Sequence, residues 1–421
     1  MLKQIRILVL CLLAGAASAQ MPHRLVVLVN ENSQDSKKAA NMFAALHGVP
    51  GGNLIYLDLP ESIVAGRAEC SPEEFRTLIY EPAQKTIEER GLNEQIVAWV
   101  YSVDFPIRVV TSPNDRQQMS VMGLTFTRGK VPALDTMEKG LFGSPLFAGP
   151  AKEGGPKNPP RSFDVLSASL KDKMPLPSMM LGYIGDGGND MATVLRCLEN
   201  GVRAKQSGPI HPVEFIQTDD KARSGPREWQ YAAAKAELTL RKVPVTIYTN
   251  TPPAQTDLLG VMTGAADIKP ESFGTFAPGA FGEHLTSWSA DFQKRQSKCT
   301  EWLKAGATVT AGMVTEPYNV WTKFPHARFF VHYASGCSAM ESFYQSIASP
   351  VQVLLLGDPL SQLAGLPVEI KTVGLSAEIS RFLPKCFTAR CSMESRLKPV
   401  RATRSSNCRS RKWATATTKS G

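Results

Sequence analysis

The sequence predicts an α/β fold: a mostly parallel sheet flanked by helices. Two observations carry this. Several short runs are apolar at every position, as strands buried on both faces require. These runs alternate with segments of helical spacing, the order that produces parallel sheets. Residues 25–29 (LVVLV) give the first strand and residues 30–35 a polar turn. Residues 36–46 place Ala39, Ala40, Phe43 and Leu46 at helical spacing before Gly48 and Pro50 stop the helix. Residues 54–57 form a second strand. Pro72, with Glu73 and Glu74 behind it, opens a helix towards Arg90, the acidic pair suiting its N-terminus. Residues 96–101 (IVAWVY) read as a third buried strand.

Residues 119–161 break this rhythm with many Gly and Pro and the run GGPKNPP, so a long insertion or excursion is expected there. Order resumes at 179–184, followed by a turn at 185–188 and a helix over 190–205 with Asp190 as N-cap. The alternation then restarts: strand 213–216, helix 229–241, strand 243–248, helix 298–304, strand 307–314, helix 339–346 and a closing strand 351–356. No repeat is evident in the residues themselves, and two α/β halves in one sheet or in two lobes both satisfy the pattern. The expected division is 1–19 signal peptide, 20–118 N-terminal α/β half, 119–178 Gly/Pro-rich insertion, 179–366 C-terminal α/β half and 367–421 basic tail.

The N-terminus reads as a secretory signal. Lys3 and Arg6 precede a leucine-rich apolar run over 7–14, and Ala17-Ser18-Ala19 supplies small residues for cleavage after Ala19. That run has about half the ~20 apolar residues a membrane span needs, and no later segment approaches that length. The expected location is therefore the periplasm, cell envelope or exterior. The formal net charge of +9 sits in the tail: from Ser376 to Gly421 there are 11 Lys/Arg and 2 Asp/Glu, and the preceding residues balance at 36 of each sign. A body without net positive charge lacks the electropositive face that nucleic-acid binding requires. The tail, rich in Arg, Ser, Thr and Cys and without hydrophobic periodicity, is expected to be disordered after about Phe382. Its abrupt composition also fits a shifted reading frame. Cys70, Cys197, Cys299 and Cys337 remain in the body, where three disulfide pairings or four separate buried thiols are open, with no CxxC spacing to choose.

The most informative stretch is 276–292 (FAPGAFGEHLTSWSADF), a glycine-rich backbone followed by polar residues, as functional loops often are. Glu283 and His284 could orient or protonate a substrate group, and the amides of Gly279 and Gly282, with Thr286 and Ser287, could receive a ligand anion. The bland alternative is a chain turn with His284 satisfied in the core, and a lone histidine favours it. Residues 306–318 (GATVTAGMVTEPY) form a small-residue strand ending at Glu316, which could face the same cleft as His284 or simply cap a strand end. His326, His332 and Cys337 match no standard metal spacing, and no metal or cofactor is expected. Residues 185–190 (GDGGND) lack the acidic spacing of a calcium loop. Asp219 and Asp220, adjacent on an extended segment, point to opposite sides, and no GxSxG elbow follows a strand.

Five segments, NENSQDSKKAANMFAALHGVP (30–50), FAPGAFGEHLTSW (276–288), GATVTAGMVTEPY (306–318), KFP (323–325) and LLLGDPL (354–360), carry a resemblance across residues 24–363. Over this span the chain resembles an uncharacterised exported bacterial family that occurs in species with exosortase-type protein-sorting systems. That resemblance implies no particular activity, substrate or cofactor. More distantly the chain is similar to gingipain and caspase-like cysteine peptidases, which implies a caspase-like or related Rossmannoid sheet, with residues 243–248 and 357–359 as corresponding elements. Residues 249–253 (TNTPP) then hold no His-Gly and residues 275–279 (TFAPG) no cysteine, so the thiolate and base of that chemistry are missing. The reading that follows is an exported, non-catalytic binding or accessory protein acting on an unidentified envelope or surface component. The alternative is a peptidase-like hydrolase built around Glu283, His284 and Glu316 with a nearby Ser or Cys.

Overall fold

In the computed structural model, residues 22–363 are described except for 67, 113–116 and 206–210, as is the backbone of 368–373 and 376–381. Ten strands form one sheet: β1 (Leu25–Asn30), β2 (Leu54–Leu57), β3 (Ala98–Tyr101), β4 (Ser178–Met180), β5 (Val213–Gln217), β6 (Val245–Thr249), β7 (Gln255–Gly264), β8 (Gly274–Leu285), β9 (Val309–Met313) and β10 (Val353–Gly357). Their spatial order is β2-β1-β3-β4-β10-β9-β8-β7-β5-β6. Every neighbouring pair is parallel except β9 with β10, where Val309 faces Gly357 and Met313 faces Val353. The two α/β halves therefore share one sheet. By pairing, the sheet divides into two halves of five parallel strands, β1–β4 with β10 and β5–β9, which meet antiparallel at a central seam.

Taken in chain order, the strands of each half occupy the same positions: second, first, third, fourth, fifth. The likeness extends to the first strand end. Asn30 N donates to Ser36 Oγ at 2.9 Å, and Thr218 N donates to Ser224 Oγ at 3.0 Å, each serine six residues further along in the helix that follows. A repeat invisible in the residues is thus present in the topology.

The apolar runs explain the strands. On β1, Leu25, Val27 and Val29 join one core while Val26 and Leu28 join the other, all fully buried. β3 and β10 divide their side chains in the same way. Each such aliphatic side chain stabilises the fold by about 1.5–3 kcal/mol. Helices cover both faces. α1 (Gln34–His47) starts at the Ser33 cap and ends at Gly48, whose φ of 69° suits a residue without Cβ. Pro72 opens a helical run that continues through a π-helical turn to Glu89, under a Ser71–Glu74 capping box. α2 (Met191–Arg203) is capped by Asp190 as expected, and α3 (Lys221–Thr239) begins earlier than expected, carrying Pro226 inside it.

Two departures from the sequence reading matter. Residues 121–126, expected in an excursion, form a fully buried helix, with Gly123 against the main chain of Val351. Residues 276–285, read as part of a glycine-rich loop, are the second part of strand β8, and β7 beside it was not expected at all. Glycine lowers strand propensity, but here each glycine makes room. A Cβ on Gly282 would lie 2.3 Å from the Trp302 ring, and one on Gly260 2.4 Å from the Phe330 ring.

Beyond residue 363, in a unit apart from the sheet, Val368–Val373 pairs antiparallel with Ser376–Arg381. The disorder expected after Phe382 and the signal peptide lie outside the described residues. No helix among the described residues is long and apolar enough to cross a membrane.

Candidate functional site

Strand alternation decides the fate of the two residues expected to do acid–base work. Successive side chains on a strand point to opposite faces, so Glu283 and His284 cannot act on one group. Glu283 faces α3 and forms a buried ion pair with Arg227, Oε2 to Nη1 at 2.5 Å. Arg227 also donates to the carbonyls of Thr263 and Pro325. Burial pushes the Glu283 carboxyl up to about 7, against the pull of the guanidinium. On the other face, His284 is fully buried. Its Nδ1 accepts from Trp302 Nε1 at 3.0 Å, and its Nε2 donates to Ser297 O at 3.2 Å, which fixes the tautomer. Burial pushes this imidazole down to about 3, so it stays neutral.

The glycines expected to offer amides are used in packing. Gly279 N donates to Thr308 Oγ1 at 2.9 Å, and its φ of 89° together with Ala204, 2.6 Å from a notional Cβ, demands glycine. Gly282 accommodates Trp302.

Two of the remaining predicted residues, Ser287 and Glu316, do come together, at the carboxyl ends of β8 and β9, and the third, Thr286, precedes Ser287 in the chain. Ser287 Oγ donates to Glu316 Oε1 at 2.8 Å, and Tyr318 N donates to the same oxygen at 2.9 Å. Beside them Arg223 Nε donates to Thr286 Oγ1 at 3.2 Å, while its Nη1 meets Asp220 Oδ2 at 2.8 Å. The backbone here is strained: Trp288, Tyr318 and Asn319 each have φ of 53°, a left-handed conformation costly for bulky residues. Such residues concentrate at functional sites, and the carboxyl ends of parallel strands are where open α/β sheets bind ligands. Half-exposed Tyr318 and the Trp288 ring, with Lys294 Nζ 5.5 Å from its centroid, add aromatic surface. The arrangement offers a hydroxyl, a carboxylate, a guanidinium and aromatic faces, which suits hydrogen-bonded binding of a polar ligand.

Sequence reading missed Arg223 and Trp288. Arg223 lies 63 residues from Thr286 and meets it only because β5 and β8 flank β7, a proximity that local patterning does not encode.

Other candidates resolve into the core. Cys70, Cys197, Cys299 and Cys337 are free and buried. Burial pushes the first three thiols up to about 12 and Cys337 higher still, so none supplies a thiolate. His326 Nδ1 accepts from Arg328 N at 3.0 Å, and burial pushes its imidazole down to about 3. His332 is likewise held neutral by burial. Among the described residues no group of three or more His, Cys, Asp or Glu is placed to hold a metal ion. Residues 275–279, with no cysteine, lie within β8. Comparison with protein-family models, with curated proteins and with solved structures finds no match.

Proposed function

We propose that this chain is a non-catalytic binding or accessory protein of the cell envelope, exported by its N-terminal signal, that holds a polar ligand at the carboxyl ends of β8 and β9. One observation carries the reading: Glu283 and His284 are buried on opposite faces of β8, each engaged by its own partner. The rival hydrolase needs a base within hydrogen-bond reach of its nucleophile. Of the three groups that reading needs together, Glu316 alone reaches Ser287, while Glu283 is paired with Arg227 and the imidazole is neutral and held between Trp302 and Ser297, so no histidine relays a proton at this hydroxyl. Ser287, Glu316, Thr286 and Arg223 act as ligand contacts in this reading. The resemblance to an exported family in exosortase-carrying species is consistent with an envelope role, and any caspase-like ancestry would then be that of a descendant without the catalytic pair.

The test is a ligand screen by thermal stabilisation, run beside a panel of peptide and ester substrates. Stabilising ligands whose effect disappears in Ser287→Ala and Glu316→Gln, with no turnover, support the proposal. Turnover abolished by His284→Gln in a folded protein overturns it.

A further inference from the structure

Behind the Ser287–Glu316 pair, where β9 ends and β10 begins, a set of polar side chains lies out of solvent. Lys323 is fully buried, and its Nζ lies 3.5 Å from Gln117 Oε1. No carboxylate among the described residues stands within ion-pair distance of that ammonium; the fields of Glu138 and Glu316 reach it only from further away. Gln117 Nε2 donates to the main-chain oxygen of Glu316 at 2.8 Å, which ties this cluster to the candidate site. Gln352 Nε2 donates to Gln117 Oε1 at 2.9 Å and to Gln118 O at 3.2 Å, while its own Oε1 is buried with no partner.

An ammonium taken out of water without a counter-ion is costly, and so is a buried amide oxygen without a donor. Both side chains meet Gln117 Oε1, and among the described residues each lacks a partner that a ligand would supply: an anion for Lys323 and an N–H for Gln352. We propose that Lys323 is the anchor for a ligand carboxylate and Gln352 Oε1 the acceptor for a neighbouring N–H, so that the site takes an N-acylated amino-acid carboxylate, the group found at a peptide C-terminus. Gln117 Oε1, which accepts from the ammonium at 3.5 Å, holds the place of a carboxylate oxygen and swings aside as the ligand enters. The inference rests on the reading of the Ser287–Glu316 region as a binding site. Burial pushes the Lys323 ammonium down to about 8, opposed by Glu138 and Glu316, so carboxylate binding weakens as pH rises through that value in the free protein.

The probes are the N-acetyl amino acids and their C-terminal amides, titrated calorimetrically against the whole chain at pH 7 and pH 9. The inference expects at least one acid to bind, its amide to bind at least tenfold more weakly, and affinity to fall at pH 9. Lys323→Met, which keeps the apolar stem, should lower affinity for the acid at least tenfold and erase both the acid–amide difference and the pH effect. Equal binding of acid and amide, or acid binding that survives Lys323→Met while Ser287→Ala removes it, overturns this inference and leaves the binding site standing. Absence of binding by every acid also overturns it, and the wider ligand screen then judges the binding site separately.

Discussion

Removing Arg227 should be among the most damaging single changes in this protein. Its guanidinium is fully buried, meets Glu283 at 2.5 Å, and donates to two carbonyls besides. Arg227→Met strands a buried carboxylate and leaves those carbonyls short of a donor. Losing one partner of such a pair costs about 3–5 kcal/mol, a large part of the roughly 5–15 kcal/mol that holds a domain folded. The loss should depend on pH. Burial already pushes Glu283 up to about 7, and without Arg227 it would rise further. Protonation relieves the stranded charge, so the variant should be less impaired at pH 6 than at pH 8. Replacing both partners, Arg227→Met with Glu283→Leu, removes the charge altogether, and such exchanges are often neutral. Urea unfolding of the single and double variants at both pH values measures the coupling, which should exceed about 2 kcal/mol. Additive losses in the double variant, or a cost below about 1 kcal/mol for Arg227→Met, would refute the assignment of Glu283 to a structural ion pair.

Further outcomes follow from the same structure. Gly282→Ala puts a Cβ 2.3 Å from the Trp302 ring, so thermal unfolding should show a loss of about 1–3 kcal/mol from overpacking. Glu214, buried on β5 with Oε2 unpartnered, has its carboxyl pushed up to about 7 by burial. A raised carboxyl contributes stability that is full at low pH and is lost as pH rises from about 4.5 to about 7. Glu214→Gln should therefore flatten the pH dependence of stability across that window, gaining on the order of 2 kcal/mol over the native chain at pH 8; an unchanged profile would show that Glu214 finds a partner in solution. Cys70, Cys197, Cys299 and Cys337 should resist iodoacetamide in the native state and react fully in denaturant, as peptide mapping would reveal.

Much of the scaffold was legible because it rests on local pattern. Val26 and Leu28 beside Val27 and Val29 announce a strand buried on both faces, and Asp190 announces the cap of α2. β7 and β8 were illegible because their glycines are specified by distant rings, those of Phe330 and Trp302, which no window of sequence contains. That error carried into the site. Once 276–285 is taken for a loop, Glu283 and His284 look like neighbours free to cooperate; once it is a strand, they part to opposite faces. The Ser287–Glu316 contact was half legible. Both residues stand at the ends of apolar runs, but their pairing depends on β8 and β9 being parallel neighbours. The seam between the halves, and the Lys323–Gln117–Gln352 cluster beside it, depend on antiparallel pairing of β9 with β10, which alternation of elements does not predict.

The most direct test of the account is the protonation of His284, read from long-range proton–nitrogen spectra of the native chain and of His284→Gln for assignment. The structure requires a neutral ring with its proton on Nε2, since Nδ1 accepts from Trp302 and Nε2 donates to Ser297. Burial holds its pKa down at about 3. The account predicts an Nε2–H resonance pattern unchanged from pH 8 down to about pH 4. A His284 that titrates near 6.5, or that carries its proton on Nδ1, would contradict it and return this histidine to the list of catalytic bases.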